Sequence, residues 1–282
     1  MNRVWHDIVV GDFGREGTLR YLRAFEVAER RIIVQRLVGR PFFDEMRRVK
    51  YTVLGALRQI KAEFLPASDA EIDHRVLIGT RNGLEQTSVR QQLFDLITPY
   101  LRLAAQNNAN AIRVVIPCNS LSDTAMWLSQ CMGIPPGIGH EANAGDDIGT
   151  MPPVLCLPPD VTVVVPHLPT IVLEYLNTIG VRNVLFVGTQ DALSAYMNTA
   201  KALGFHMTIR CWPPPGTMDF GTWLQECTES GCPDLSVAMN VEAGEVIVCG
   251  CTDLRVPGAI DSVEILAERL ATDVYCDADN ND

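Results

Sequence analysis

The chain has 282 residues with 23 Lys+Arg against 34 Asp+Glu, a formal net charge of -11, and 47% hydrophobic residues. That length and composition suit one large α/β domain or two smaller lobes, and the acidic balance argues against bulk binding to nucleic acid or anionic membrane. No apolar run reaches the roughly 18 residues of a membrane span, the first residues carry no signal-peptide pattern, and nine cysteines, an odd number at irregular spacing, argue against a disulfide framework; together these give the expectation of a reducing cytoplasm. The charge is uneven. Residues 1–62 hold 13 Lys+Arg and 7 Asp+Glu, which leaves 10 and 27 for the remainder. This basic first part reads as solvated helix faces, or else as a patch that attracts an anionic substrate or pairs with an acidic neighbour.

In chain order, Asp7 to Val10 predicts a strand, followed by a turn with glycines at 11, 14 and 17 and then a helix. From Phe42 to Phe64 the apolar positions Phe42, Met46, Val49, Val53, Leu57, Ile60 and Phe64 step by three and four. They predict a helix closed by Pro66, whose apolar stripe faces either the core or a dimer partner. Arg75 to Gly79 predicts a second strand. Gln91 to Gln106 predicts a helix kinked at Pro99, leading into a strand over Ile112–Ile116. Residues 134–160 are rich in Gly and Pro and predict a covering loop or a connection between lobes.

Beyond that loop the spacing predicts a strand over Val161–Val165 and a helix over Thr170–Thr178 ended by Gly180. A strand over Asn183–Val187 and a helix through Leu203 follow. Residues 212–221 predict a loop, Thr222–Thr228 a short helix, and Ile260-Asp261-Ser262 the cap of a last helix through Leu270. The halves echo one another: strand, glycine turn, helix at 7–25 and 183–203; strand, cysteine, helix at 112–130 and from 246 onward. The expected fold is α/β, two similar lobes, each a parallel sheet flanked by helices, with the active site in the cleft between them. Lobe 1 is expected over 1–133, completed by 258–282, and lobe 2 over 134–257.

Two segments carry the chemistry, Pro117-Cys118-Asn119-Ser120 and Cys249-Gly250-Cys251-Thr252-Asp253, each after an apolar run. A lone cysteine is more often a small buried hydrophobe than a nucleophile. Here, though, each thiol stands where a strand gives way to residues that favour helix starts, and a helix N-terminus stabilises a thiolate. Asn119, Ser120 and Thr252 can cap those helices and can also cradle a carboxylate. Asp12, after the first strand, is either a plain turn former or an acid/base partner that helps tune the thiols. His167 is the only histidine placed near a strand tip. Cys227, Cys232, Cys249 and Cys251 are four thiols that a zinc ion would need, but their Cys-x4-Cys and Cys-x-Cys spacings depart from the usual pairs. No metal is expected.

These segments resemble the aspartate/glutamate racemase superfamily, whose members use two cysteines without pyridoxal phosphate. Val10-Gly11-Asp12-Phe13-Gly14-Arg15-Glu16-Gly17-Thr18 resembles its first strand-turn, and Pro117-Cys118-Asn119-Ser120 its Pro-Cys-Asn-Thr motif. Gly188-Thr189-Gln190-Asp191-Ala192-Leu193-Ser194-Ala195-Tyr196 resembles its second-half Ala-Thr-x-Gly-Thr motif, and Gly250-Cys251-Thr252-Asp253-Leu254 its Gly-Cys-Thr-Glu-Leu motif. Ser120 stands where the family has Thr, and Asp253 where it has Glu or His. The resemblance implies catalytic Cys118, Cys251 and Asp12, and substrate contacts from Asn119, Ser120, Thr189, Thr252 and His167. The implied activity is racemisation or epimerisation at the α-carbon of an amino acid or related small carboxylate, without cofactor, nucleic acid or membrane and with a homodimer as a candidate assembly. Alternatives are cis-trans isomerisation of a small dicarboxylate through a covalent cysteine, a decarboxylase using one thiol, and a non-catalytic ligand-binding relative.

Overall fold

A computed structural model describes residues 4–11, 17–36, 49–54, 87–132, 157–214, 216, 220, 222–223, 239–251 and 254–276. Strand β1 (Trp5–Val10) is buried along its whole length, as expected of an inner strand of a parallel sheet covered on both faces. It pairs in parallel with β2 (Val49–Leu54) on one side and β3 (Ala111–Val115) on the other, and β3 pairs with β4 (Thr162–Val164). A second sheet repeats the plan. β5 (Asn183–Val187) lies between β6 (Thr208–Trp212) and β7 (Val246–Cys249), and β7 pairs with β8 (Ile260–Asp261). The sheet orders are β2-β1-β3-β4 and β6-β5-β7-β8, so the two halves are built alike. The protein is therefore two lobes, each a parallel sheet flanked by helices.

The helices are α1 (Gly17–Arg36), α2 (Thr87–Gln106), α3 (Ser122–Cys131), α4 (Leu168–Thr178), α5 (Gln190–Ala202) and α6 (Ser262–Cys276). Two of them end in the same way. Gly180 has φ of 78° and Gly204 has φ of 67°. The residue after each glycine bonds back into the last turn, Val181 N to Leu176 O at 3.0 Å and Phe205 N to Ala200 O at 2.9 Å. That left-handed cap suits glycine. At the start of α6, Asp261 Oδ1 accepts from Val263 N at 2.9 Å, the cap read from the sequence.

Alternation along the strands sorts the core. Trp5, Val9, Ala111 and Val115 of the first sheet and Val184, Phe186 and Val248 of the second share one cluster with residues of α1, α4, α5 and α6. These helices form a layer common to both sheets. The opposite face of the first sheet, with Ile8, Val10, Ile112, Val114 and Ile116, packs on α2 and α3. The opposite face of the second, with Leu185, Val187 and Cys249, packs on Phe220, Trp223, Leu254 and Val256. On the shared face Asp7 and Arg113 stand opposite in register. They form a buried two-point ion pair at 2.7 and 2.8 Å, and Arg113 Nη1 also donates to Leu270 O of α6 at 2.6 Å.

One expectation is corrected. Residues 49–54, inside the helix expected over Phe42–Phe64, are strand β2. Val49 and Val53 are four apart, and a separation of four returns to the same side in a helix and in a strand alike. The β-favouring run Tyr51-Thr52-Val53 and the open edge of β1 decide for the strand. The rest of that expected helix, with its dimer face, lies outside the described residues, as does the strand expected over Arg75–Gly79. Strand pairing also runs across the expected lobe limits: β4, within 134–257, joins the first sheet, and β8, within 258–282, joins the second. Strand β6 had no counterpart in the sequence reading.

Candidate active site

The two cysteine segments occupy equivalent places. Val187, the last residue of β5, pairs with Cys249, so Cys251 stands two residues beyond that pair. Val9 pairs with Val115. One further step puts Ile116 opposite Val10, the last residue of β1, and Cys118 again stands two residues beyond. One backbone hydrogen bond recurs in both segments. Leu121 N donates to Cys118 O at 3.3 Å, and Leu254 N donates to Cys251 O at 3.2 Å. Each cysteine thus opens a Cys-x-x-Leu turn at the carboxyl end of a strand, where ligands bind in open α/β sheets. Asn119 to Leu121 form a 3-10 turn that leads into α3.

Both thiols are largely covered, with Cys118 7% and Cys251 8% exposed, close to Cys131 at 7%, Cys211 at 5% and Cys249 at 3%. Exposure does not single the pair out; position does. Cys211 and Cys249 lie on strands and Cys131 ends α3. Burial pushes the thiols of Cys131 and Cys211 up to about 11 and raises that of Cys249 as well, so these three stay protonated at neutral pH.

A glycine is required beside Cys251. A Cβ at Gly250 would overlap the Phe186 ring, and one at Gly188 would meet the same ring at 2.9 Å. Phe186 in turn packs on Tyr196 of α5, with ring centroids 4.6 Å apart. From Tyr196 a buried chain of hydrogen bonds crosses between the halves. Its hydroxyl donates to Asn119 Oδ1 at 2.7 Å, and Asn119 Nδ2 donates to Ser262 Oγ at 2.9 Å. The Ser262 hydroxyl donates to Cys249 O at 2.9 Å. From α1, Arg20 forms an ion pair with Asp261 and donates through Nη1 to Leu254 O at 3.1 Å, holding the residue that closes the second turn.

The other residues chosen from sequence follow strand ends too. Thr189 is the N-cap of α5, its hydroxyl oxygen accepting from Ala192 N at 3.3 Å. His167 is the N-cap of α4, with Nδ1 2.8 Å from Thr170 Oγ1. Ser120 lies in the 3-10 turn. Asn119 is buried with both ends of its amide engaged. Asp12 and Thr252 lie outside the described residues. Sequence reasoning missed the parts played by Ser262 and Arg20, and treated Tyr196 only as a motif position. The signal that was available is the repeated Cys-x-x-Leu.

Fold and site together define a two-lobed parallel α/β protein with a cysteine turn at a strand end in each lobe. The chain matches no family model and no curated protein. Solved structures do align along nearly all of it. A candidate Asp/Glu racemase from Yersinia pestis shares 14% identity, over 97% of this chain and 99% of that one, at a TM-score of 0.49. Aspartate racemase of Picrophilus torridus shares 14%, over 96% and 94%, at 0.47. Allantoin racemase of Klebsiella pneumoniae shares 11%, over 98% and 89%, at 0.44. Similarity at this level assigns no activity to the chain.

Proposed function

We propose that this protein is a cofactor-independent racemase or epimerase acting at the α-carbon of an amino acid or related small carboxylate, with Cys118 and Cys251 as its acid/base pair. The observation that carries this reading is the equivalence of the two cysteine turns. Each cysteine stands two residues past the same register point of its sheet, and its carbonyl accepts from the leucine N–H three residues on. Inverting a stereocentre needs one base and one acid on opposite faces of a carbon, and a repeated lobe supplies two equivalent groups for that task.

The step balances without an oxidant or co-reactant. One cysteine, as thiolate, takes the α-proton: the Cα–H bond breaks and an S–H bond forms. The other, as thiol, gives its proton to the opposite face, so its S–H bond breaks and a new Cα–H bond forms. The pair ends with protonation states exchanged and resets through solvent. A free thiol has a pKa near 8.5, so a thiolate at neutral pH needs help from its surroundings, which Asp12 and, at Cys118, the helix start beyond the turn would supply. The substrate carboxylate would be held by peptide N–H groups of the two turns and by Ser120, Thr189, Thr252 and His167. Donors placed there also stabilise the charge that develops on deprotonation.

The test is to incubate the protein in D2O with a panel of amino acids, hydantoins and dicarboxylic acids and follow the α-proton signal. Solvent deuterium should enter Cα of the substrate as its optical rotation decays. Turnover without label at that carbon would reject the reading and favour isomerisation by covalent addition.

A further inference from the structure

The chain of hydrogen bonds from Tyr196 to Cys249 has a direction, and that direction ties the two cysteine turns together. Tyr196, Asn119 and Ser262 are 1%, 2% and 0% exposed, so water does not substitute for their partners. A hydroxyl has one proton to give. Tyr196 gives its proton to Asn119 Oδ1, which fixes the amide so that Nδ2 faces Ser262. Ser262, receiving there, keeps its own proton for Cys249 O. Without the Tyr196 donor, Asn119 can turn over and draw the Ser262 proton to Oδ1, away from Cys249. Burial also pushes the Tyr196 phenol far above its ordinary range, so the donor stays protonated.

Both ends of the chain adjoin a candidate base. Asn119 is the neighbour of Cys118, and Cys249 is two residues before Cys251. The ring of Tyr196 acts on the second turn by another route as well, since it packs on Phe186, the ring that bars a side chain at Gly250. One side chain of α5 therefore bears on both turns.

We infer that Tyr196, Asn119 and Ser262 form a positioning relay that sets the Cys118 turn and the Cys251 turn in fixed relation to each other. The relay is a property of the fold; its purpose, holding two bases at opposite faces of one carbon, rests on the racemase reading above. In this role Asn119 acts through its side chain as a strut between the turns.

The discriminating variant is Tyr196→Phe, which keeps the ring on Phe186 and removes one proton. Amide hydrogen exchange should rise by about tenfold in residues 117–121 and in residues 249–254 together, the scale of losing one buried hydrogen bond, with β1 and β5 unchanged. With a substrate in hand, kcat should fall by about tenfold while KM stays within about twofold, since the loss falls on proton transfer rather than on binding. Ser262→Ala should loosen 249–254 in the same way, Ser262→Thr should restore most of the protection, and the double variant should be no worse than either single one. Ser262→Ala keeps the question open to decision if Tyr196→Phe does not fold. Exchange that rises only within α5, or a lower Tm with unchanged kcat, would overturn the relay. A wild-type protein that labels no member of the substrate panel would reject the racemase reading, and the exchange data would then decide the relay by themselves.

Discussion

Gly250 tolerates no side chain, because a Cβ there would overlap the Phe186 ring. Gly250→Ala should force that ring or the Cys251 turn to move, an overpacking cost of about 2 kcal/mol that calorimetry would read as a Tm lower by about 5 °C. Adding Phe186→Leu, which shortens the obstructing ring, should recover part of the loss. At the thiols, Cys118→Ala and Cys251→Ala should each lower racemisation by a factor of about a thousand or more, measured by chiral chromatography. The double variant should fall no further than either single one, because the pair acts as a unit. If one variant kept wild-type turnover, a single-thiol mechanism would take precedence. The setting of Cys118 was legible from sequence because the signal is local: an apolar strand, then a cysteine, then residues that start a helix. The helix expected directly after Cys251 is not there among the described residues, since β8 comes first and α6 begins only at Ser262. The groups that join the two turns were not legible, because Tyr196 and Asn119 are 77 residues apart and Asn119 and Ser262 are 143 apart, and no spacing rule spans such distances.

Among the elements, the helices and inner strands of the described residues were legible wherever one period fitted and the other did not. The edge strands β2 and β6 were not, since short half-buried strands carry little alternation of their own and gain definition from the strand they pair with. β2 also carries a pH-sensitive contact. His6 Nε2 of β1 lies 2.8 Å from Thr52 Oγ1, and burial, which outweighs the attraction of neighbouring Asp7, lowers the pKa of His6. A histidine with a depressed folded pKa binds its proton more readily when unfolded. Stability should therefore be at its plateau above the ordinary value of about 6.5 and fall as the pH drops below it. Urea denaturation between pH 7.5 and 5 should show that slope for the wild type, and His6→Gln should flatten it; an unchanged slope would assign the effect to other groups. Asp7→Asn, one register step along β1, is expected to be harsher. It leaves the Arg113 guanidinium buried without its counter-charge, at a cost of about 3–5 kcal/mol.

At the scale of the whole molecule, the repeated sheets invite the idea of two independent domains, and the core argues otherwise. The inner faces of both sheets pack on the same layer of α1, α4, α5 and α6. Arg113 of the first sheet reaches Leu270 of α6, and Arg20 of α1 reaches Leu254 beyond the second cysteine turn. Two lobes with separate cores would unfold in two steps, each responding to mutations on its own side; a shared core has no surface along which to part. Denaturant unfolding should then give one transition, coincident by far-UV circular dichroism and by tryptophan fluorescence. Val115→Ala in the first sheet and Val248→Ala in the second, both at fully buried positions of the shared cluster, should each shift that whole transition by about 2 kcal/mol without splitting it. A biphasic curve in which each substitution moved only its own phase would show that the lobes fold apart. The alignment of the two cysteine turns would then depend on how the lobes dock rather than on a common interior.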